Sequence, residues 1–249
     1  MKTNNLDAEM RELEYFHTVR LLPGAWTVIR VDGRSFSRFT EQRFDKPFDE
    51  RFRDHMLETA QTLLEELQGI YAFTESDEIS ILFPPDWALF DRELEKVVSV
   101  SAGIASAVFT RSCGELAHFD SRVWLGVNAD RVIDYFRWRQ ADATRCSLNG
   151  WAYWTLRKAG KTVKQATKVL ESQSVSYKQE LLFQHDINFN DLPAWQRRGI
   201  GLYWEQYEKE GYNPLKDVTE MATRRRVKID LEIPMKDEYV AFLRSLIGA

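Results

Sequence analysis

Two short acidic segments carry the side chains of this sequence that are best suited to metal-assisted chemistry. They are Arg30-Val31-Asp32-Gly33-Arg34 and Thr74-Glu75-Ser76-Asp77-Glu78-Ile79-Ser80. Each places a carboxylate, Asp32 or Asp77, where an extended apolar run ends. Paired carboxylates suit Mg²⁺, which prefers oxygen ligands and usually shares them with substrate phosphates. The pattern predicts metal-assisted nucleotidyl transfer, provided that the fold brings the two carboxylates together.

The elements around these segments predict a ferredoxin-like βαββαβ arrangement. Short β-branched and aromatic runs predict strands over 26–31, 70–74, 79–83 and 119–127, and apolar residues at helical spacing predict helices over 47–68 and 94–112. A right-handed crossover makes the first two strands parallel, with the third antiparallel between them. The end of the first strand and the turn after the second then share one edge of the sheet. Asp32 and Asp77 are therefore expected to meet.

The second half of the chain has a different pattern. A long helix is expected from about residue 130 to Lys158, then a helix over 162–172, an irregular stretch over 184–199, and strands over 200–204 and 227–233. A polar loop with Gly211 and Pro214 separates those strands. We predict an α+β fold in which residues 1–130 form the catalytic region. Residues 131–249 form a largely helical extension packed on it, because no flexible linker divides the two.

Composition narrows the classes of function. The chain has 249 residues, 44% of them hydrophobic, and a net charge of -4, which argues against a generally basic nucleic-acid binder. The segment from Arg137 to Lys178, with both ends counted, contains nine Lys and Arg residues but only two acidic residues. We expect this basic segment either to face phosphates or to form a solvated helix face.

The remaining features of the composition bear on metal sites and on the compartment. The two cysteines form no CxxC pair, the four histidines show no zinc spacing, and no signal or membrane-spanning run is present. A cytoplasmic protein is expected.

The residues near the two carboxylates fit a nucleotide-binding centre. Two Mg²⁺ ions between Asp32 and Asp77 would activate an attacking hydroxyl and stabilise a leaving pyrophosphate, with the Gly33 carbonyl as a further ligand. Backbone N–H groups of Arg34 to Ser37 would cradle a triphosphate, with Lys46 and Ser76 as side-chain donors. The alternative for each segment by itself is an ordinary turn, in which Gly33 supplies the backbone freedom.

Several motifs, in order along most of the chain, resemble those of the tRNA(His) guanylyltransferase family. They are Val28-Ile-Arg-Val-Asp-Gly-Arg-Ser-Phe-Ser-Arg-Phe39, Asp45-Lys-Pro-Phe48, Glu75-Ser-Asp-Glu-Ile-Ser80, Tyr135-Phe-Arg-Trp-Arg-Gln-Ala-Asp142, Lys178-Gln-Glu-Leu-Leu182, Ile187-Asn-Phe-Asn190 and Arg197-Arg-Gly199. The family includes a bacterial and archaeal guanylyltransferase-like branch of reverse, 3'-to-5' polymerases.

The resemblance implies a polymerase-type palm with a fingers-like extension, two Mg²⁺, and activation of a tRNA 5' end by ATP or GTP. The 3'-hydroxyl of an incoming nucleotide would then attack. The implied catalytic residues are Asp32, Asp77 and, in a supporting role, Glu78; the implied metal ligands are Asp32, Gly33 and Asp77. The implied nucleotide contacts are Asp32, Gly33, Arg34, Ser35, Phe36, Ser37, Lys46, Ser76 and Asp77. The expected tRNA contacts are Arg137, Arg139, Arg145, Lys178, Arg197 and Arg198, and a homotetramer is also implied.

Three departures from the family pattern favour the guanylyltransferase-like branch. Ser37 stands where the family often has His, Lys178-Gln179-Glu180 stands where it usually has Lys-Asn-Glu, and Thr144-Arg145-Cys146-Ser147 replaces the His-Ile-Asn-Asn of the eukaryotic enzymes. We therefore expect template-directed addition at tRNA 5' ends without a strict requirement for tRNA(His). The alternatives are a strict tRNA(His) guanylyltransferase, a palm-fold nucleotide cyclase and a degenerate RNA-binding module.

Two sets of residues can each be interpreted in two ways. Arg197-Arg198 and Arg224-Arg225-Arg226 either grip phosphates or are charges beside a strand that aid solubility. Trp138, Trp151 and Trp154 either stack on nucleobases or pack in the core at helical spacing.

Overall fold

A six-stranded antiparallel sheet organises the protein, for which a computed structural model describes residues 3–213 and 218–248. The strands are β1 (Trp26–Gly33), β2 (Tyr71–Glu75), β3 (Glu78–Phe83), β4 (Phe119–Gly126), β5 (Ile200–Asn213) and β6 (Val218–Asp230). The α-helices are α1 (Thr3–Leu13), α2 (Phe36–Arg43), α3 (Glu50–Glu66), α4 (Leu94–Cys113), α5 (Ala129–Lys158), α6 (Val163–Leu170), α7 (Val175–Phe183), α8 (Ala194–Arg198) and α9 (Lys236–Ile247).

The order of the strands confirms the predicted ferredoxin-like core. The sheet runs β4-β1-β3-β2-β5-β6, so β3 lies between β1 and β2 and is antiparallel to both. The strands β1 and β2 are therefore parallel, as a right-handed crossover through α3 requires. The second half of the chain extends the same sheet, because β5 pairs with β2 from Tyr71↔Tyr203 to Thr74↔Ile200.

Each face of the sheet is covered by its own pair of helices. On one face, alternate strand residues such as Ile29 and Val31 pack against apolar residues of α3 and α4, including Leu63 and Phe109. On the other face, α5 and α9 pack on a second set of strand residues with Val28 at its centre. This alternation follows from the two-residue period of a strand. The helices α6 and α7 pack on the part of α5 that extends beyond the sheet.

Several predicted bounds differ from the structure. The helix expected from Pro47 begins at Glu50, because the Asp49 side chain accepts a hydrogen bond from the Arg51 N–H (2.8 Å) and caps it. Residues 36–43 form α2, which was not predicted, and the same holds for α1, α7 and α9; α8 lies within the stretch over 184–199 that was expected to be irregular. The expected polar loop after residue 204 is instead mostly strand, since β5 and β6 pair over their whole length; Pro214 lies outside the described residues.

None of the helices within residues 3–213 and 218–248 is both long enough and apolar enough to cross a membrane.

Candidate active site

The two acidic turns lie side by side at one edge of the sheet. The Gly33 N–H donates a hydrogen bond to the Asp77 carbonyl (3.1 Å), and Asp32 lies opposite Glu78 in the β1–β3 register. The predicted convergence of the turns is therefore confirmed. It follows from the fold, because β1 ends where the β2–β3 turn begins.

Four carboxylates lie in register across four strands at this edge, and we call them the acidic row: Asp120, Asp32, Glu78 and Glu75. Sequence reasoning missed Asp120 and Glu75 as members, since only the strand register brings them into line. Asp77 stands beside the row in the turn. Such an arrangement is costly without cations, because like charges and burial both disfavour ionised carboxylates.

The pKa values of the row reflect this cost. Burial, and then the charge of Asp32, raises the pKa of Asp77 to about 6, although a hydrogen bond from Ser76 opposes the shift. Burial and Asp120 raise the pKa of Asp32, against the pull of Arg122 and Arg30. Burial and Glu78 raise the pKa of Glu75 to about 8. Asp32 and Asp77 thus lie together in an environment that favours a cation.

Gly33 is required at its position for a steric reason. A Cβ atom there would lie 2.4 Å from the ring of Phe36, which is buried in the core. The turn then passes through Ser35 in the left-handed region (φ 62°) into α2. The N–H groups of Phe36 and Ser37 open α2 and so lack carbonyl partners within the helix. The Arg34 N–H, by contrast, donates to the His118 carbonyl (2.8 Å), which corrects its predicted part in a phosphate cradle.

A pocket of about 390 Å³ lies next to the Asp77 turn. It brings together five of the predicted nucleotide contacts: Phe36, Ser37, Lys46, Ser76 and Asp77. The Lys46 ammonium donates a hydrogen bond to the Thr40 hydroxyl. Burial lowers the pKa of Lys46, and the acids Glu41, Asp77 and Asp49 oppose that shift. The volume and the mixture of polar and aromatic walls suit a nucleotide-sized ligand.

The other walls of the pocket come from parts of the chain that are distant in sequence. They include Phe44 and Phe48 before α3, Cys146, Ser147, Tyr153 and Trp154 on α5, and Trp195 on α8. Trp154 therefore lines a cavity, which agrees with the first of the two interpretations given for it. Trp195 carries no pattern in the sequence that would have assigned it to the site.

Glu78, for which a supporting role was implied, is held in an ion pair beside the two turns. Its two carboxylate oxygens accept hydrogen bonds from Arg139 Nε (2.7 Å) and Nη2 (2.8 Å), and Arg30 Nε lies 3.7 Å away. Arg139 is only 5% exposed and also pairs with Asp142 (3.2 Å). Glu78 thus anchors the turn to α5. Arg139 is not accessible to RNA, which corrects its predicted tRNA contact.

The remaining predicted tRNA contacts fall into two groups. Arg137 and Arg145 are exposed on α5 and Lys178 is half-buried on α7, so these three stay predictions. Arg197 instead donates from Nε to the Leu192 carbonyl (2.7 Å), and Arg198, mostly buried, pairs with Glu232 (3.4 Å). Each of these two guanidinium groups thus has a partner within the protein but stays partly exposed, so their tRNA contacts also stay predictions.

Among the described residues, no group of three or more His, Cys, Asp or Glu side chains is arranged to hold a metal ion. The donor set at the turns is the pair Asp32 and Asp77. A pair fits Mg²⁺, which commonly binds through one or two carboxylates and completes its shell with waters and substrate phosphates.

We expect the stability of the protein, kept free of divalent cations, to fall as pH rises from about 4.5 to about 8. Glu75 binds its proton more tightly when folded, so its stabilisation is complete below its ordinary pKa of 4.5 and is lost as pH rises through about 8. Asp77 acts in the same direction up to about pH 6. Each group contributes at most about 1.4 kcal/mol per pH unit.

Urea unfolding at about pH 5 and about pH 8 with a chelator measures this fall. Glu75→Gln should flatten it, whereas Glu66→Gln, an exposed control on α3, should leave it unchanged. If the free energy of unfolding falls equally with pH in wild type and in Glu75→Gln, the raised pKa of Glu75 is contradicted.

Comparisons with known proteins agree along nearly the whole chain. Residues 7–127 match a protein-family model described as tRNAHis guanylyltransferase, and residues 130–239 match one described as Thg1 C terminal domain. A probable tRNA(His) guanylyltransferase of Bos taurus is 34% identical over 239 residues, which cover 91% of this chain and 76% of that protein. One of Mus musculus is 35% identical over 201 residues, 76% of this chain and 67% of that protein.

Solved structures give the same result. A bacterial tRNA(HIS) guanylyltransferase (Thg1)-like protein in complex with GTP matches with a TM-score of 0.74 at 28% identity, covering 98% of this chain and 100% of that one. The same description in complex with ATP matches with a TM-score of 0.76, again at 28% identity and with the same coverage. The Saccharomyces cerevisiae enzyme matches with a TM-score of 0.71 at 28% identity, covering 77% of this chain and 91% of that one.

Proposed function

Because this chain belongs to the tRNA(His) guanylyltransferase family, whose members are nucleotidyltransferases, we propose that it adds nucleotides to tRNA 5' ends in the 3'-to-5' direction. One observation carries the proposal: the convergent Asp32 and Asp77 turns open beside a pocket lined by Lys46, Ser76 and aromatic side chains. Solved structures of a bacterial relative hold GTP or ATP, which supports a purine nucleoside triphosphate as the ligand of this pocket.

Asp32, Asp77 and the Gly33 carbonyl would hold two Mg²⁺ ions. When bound, the metal supplies Lewis-acid activation of the attacking hydroxyl and charge stabilisation of the leaving pyrophosphate. Burial, and then a neighbouring carboxylate, raises the pKa of both aspartates, and this supports the assignment because a bound cation would favour their ionised forms.

The protein's own groups position the nucleotide. Lys46 lines the pocket with a pKa lowered by burial, so the negative charge of a bound triphosphate would stabilise its ammonium form and accept a charge-assisted hydrogen bond from it. The Ser76 hydroxyl and the first N–H groups of α2 offer further donors to phosphate oxygens. Aromatic walls such as Phe44 and Trp154 enclose the remainder of the ligand.

We assign the chain to the template-directed branch on the basis of residues 144–147. The Thr144 hydroxyl donates to the Gln140 carbonyl of its own helix (3.1 Å), and Arg145 is paired with Asp142. Cys146 and Ser147 line the pocket with small groups. These side chains offer no imidazole or amide to read a particular base, so pairing with the opposite strand would supply the specificity. A homotetramer and a cytoplasmic setting, which the family resemblance implied or the composition suggested, also remain proposals.

The test uses tRNAs that lack their 5'-terminal nucleotide, with labelled nucleoside triphosphates. We expect extension by the nucleotide that pairs with the opposite strand, whatever the anticodon, and no large preference for intact tRNA(His). A large drop in rate when the His anticodon is exchanged would instead identify a strict tRNA(His) guanylyltransferase. A product formed from nucleoside triphosphate without RNA would identify a cyclase. If no product forms with or without RNA, the chain would instead be an RNA-binding module without catalytic activity.

A further inference from the structure

Trp138 is an exposed aromatic residue beside the acidic row. Its side chain is 53% exposed, whereas the aromatic residues three and two positions earlier on α5, Tyr135 and Phe136, are buried. An indole contributes most to folding when its large apolar area is buried. The position of Trp138 on the helix therefore serves the hydrophobic core poorly and leaves the ring available to a ligand.

Two guanidinium groups lie over the indole and hold it in place, and about half of the side chain stays exposed. The guanidinium carbon of Arg139 lies 4.6 Å from the ring centroid and that of Arg30 lies 5.8 Å away. Tyr135 adds an edge contact with centroids 5.7 Å apart. Because Glu78 fixes Arg139 through two hydrogen bonds, the ring has a rigid support, and a rigid aromatic surface loses little entropy when a ligand stacks on it.

The indole lies close to the reacting centre. Arg30 precedes Asp32 by two residues on β1, so both side chains leave the same face of the sheet about 7 Å apart. A nucleobase stacked on Trp138 would therefore have its own phosphate within reach of Asp32. Trp138 does not line the pocket assigned to the nucleoside triphosphate, so such a base belongs to another reactant.

Trp138 also lines a second cavity, an open groove of about 390 Å³. Arg137 and Lys236 lie along this groove, and Asp134, which pairs with Arg137 (3.5 Å), is an acid on it. Two cations next to an aromatic ring match the alternation of phosphate and base in a nucleic-acid strand. The charge of the groove thus favours an RNA end over a neutral ligand.

We propose that Trp138 is the platform on which the terminal nucleobase at the 5' end of the RNA substrate stacks. This inference rests on the proposed function, because it identifies the RNA as the second reactant at the same site. It gives Trp138 a binding role, and it gives Arg30 and Arg139 the role of supporting the ring.

Photocrosslinking tests the contact directly. A truncated tRNA with 5-iodouridine at its 5'-terminal position is irradiated with the protein, and peptide mapping is expected to place the crosslink on Trp138. The same base inside the acceptor stem should give no crosslink to Trp138. Free 5-iodouridine triphosphate is the third arm; a crosslink to Trp138 from the nucleotide and not from the RNA would overturn the assignment.

Affinity for the truncated tRNA, measured without nucleoside triphosphate, is the second readout. Trp138→Ala should weaken binding by about tenfold, the usual loss for one stacked base, while Trp138→Phe keeps most of it. Phe183→Ala, which removes an aromatic side chain of 68% exposure from α7, is the matched control and should bind normally.

Unchanged affinity in a folded Trp138→Ala protein would overturn the platform. So would a terminal crosslink that maps elsewhere. Because the RNA crosslink and the RNA affinity are both measured without nucleoside triphosphate, a protein that crosslinks as expected but adds no nucleotide would refute only the proposed function. A protein that adds nucleotides but does not crosslink at Trp138 would refute only this inference.

Discussion

Asp77→Asn is expected to reduce nucleotide addition by about a thousandfold or more, and Asp32→Asn should do the same. Each substitution removes one of the two carboxylates that converge at the sheet edge. Metal ions contribute several kcal/mol to transition-state stabilisation, and about 4 kcal/mol corresponds to a thousandfold in rate. Single-turnover addition to a 5'-truncated tRNA at saturating Mg²⁺ measures the loss.

Stability separates this effect from damage to the fold. Without divalent cations, Asp77→Asn should unfold at the same urea concentration as wild type or a higher one, because it removes one of two neighbouring carboxylates whose ionisation the site opposes.

Asp120→Asn is the matched control for the activity. It alters another carboxylate of the acidic row, one that is 58% exposed and paired with Arg122 (2.9 Å). Its activity should stay within about tenfold of wild type, because a single exposed ion pair contributes roughly 1 kcal/mol or less. If Asp77→Asn keeps most of its activity, Asp77 has no catalytic role. If Asp120→Asn loses as much activity as Asp77→Asn, nucleotide addition requires the whole acidic row and not only the two turns.

Arg139→Met is expected to lower the free energy of unfolding by about 3–5 kcal/mol at neutral pH. The substitution removes both guanidinium hydrogen bonds to the mostly buried Glu78 carboxylate, which lies between Asp32 and Glu75 in the acidic row, and leaves it the longer contact with Arg30 (3.7 Å). Breaking a buried ion pair by removing one partner has this magnitude, since the remaining charge stays desolvated. Urea unfolding followed by circular dichroism provides the measurement.

Two further variants show whether the lost charge pair is the cause. Arg139→Met combined with Glu78→Gln should recover a large part of the stability, because the desolvated Glu78 charge is removed together with its main partner. Arg139→Lys should recover little of the lost stability, since an ammonium cannot donate the two parallel hydrogen bonds of a guanidinium to one carboxylate. Arg145→Met is the control on the same helix; its side chain is 62% exposed, so it should change stability by about 1 kcal/mol or less. An Arg139→Met protein as stable as that control would refute the anchoring role.

The local pattern of the sequence determined the core of the fold. Short apolar runs mark β1, β2 and β3, apolar residues recur with a period near 3.6 in α3 and α4, and the handedness of the crossover leaves one arrangement for β1, β3 and β2. The meeting of the Asp32 and Asp77 turns follows from that arrangement, and it is observed. These features were predictable because backbone sterics and the hydrophobic pattern act over short stretches of chain.

Contacts between distant residues were decided only by tertiary packing. The sequence gives no sign that Glu78 and Arg139, 61 residues apart, bind each other, and it suggested separate roles for them. The rotation of α5 about its axis buries Arg139 against the sheet while it leaves Trp138, the next residue, exposed. Helical spacing shows which residues share a side of the helix, but a partly polar helix such as α5 has no single apolar stripe to fix its rotation. The rotation depends on how the side chains of the sheet, α9 and α5 fill space together, and that is a property of the assembled fold.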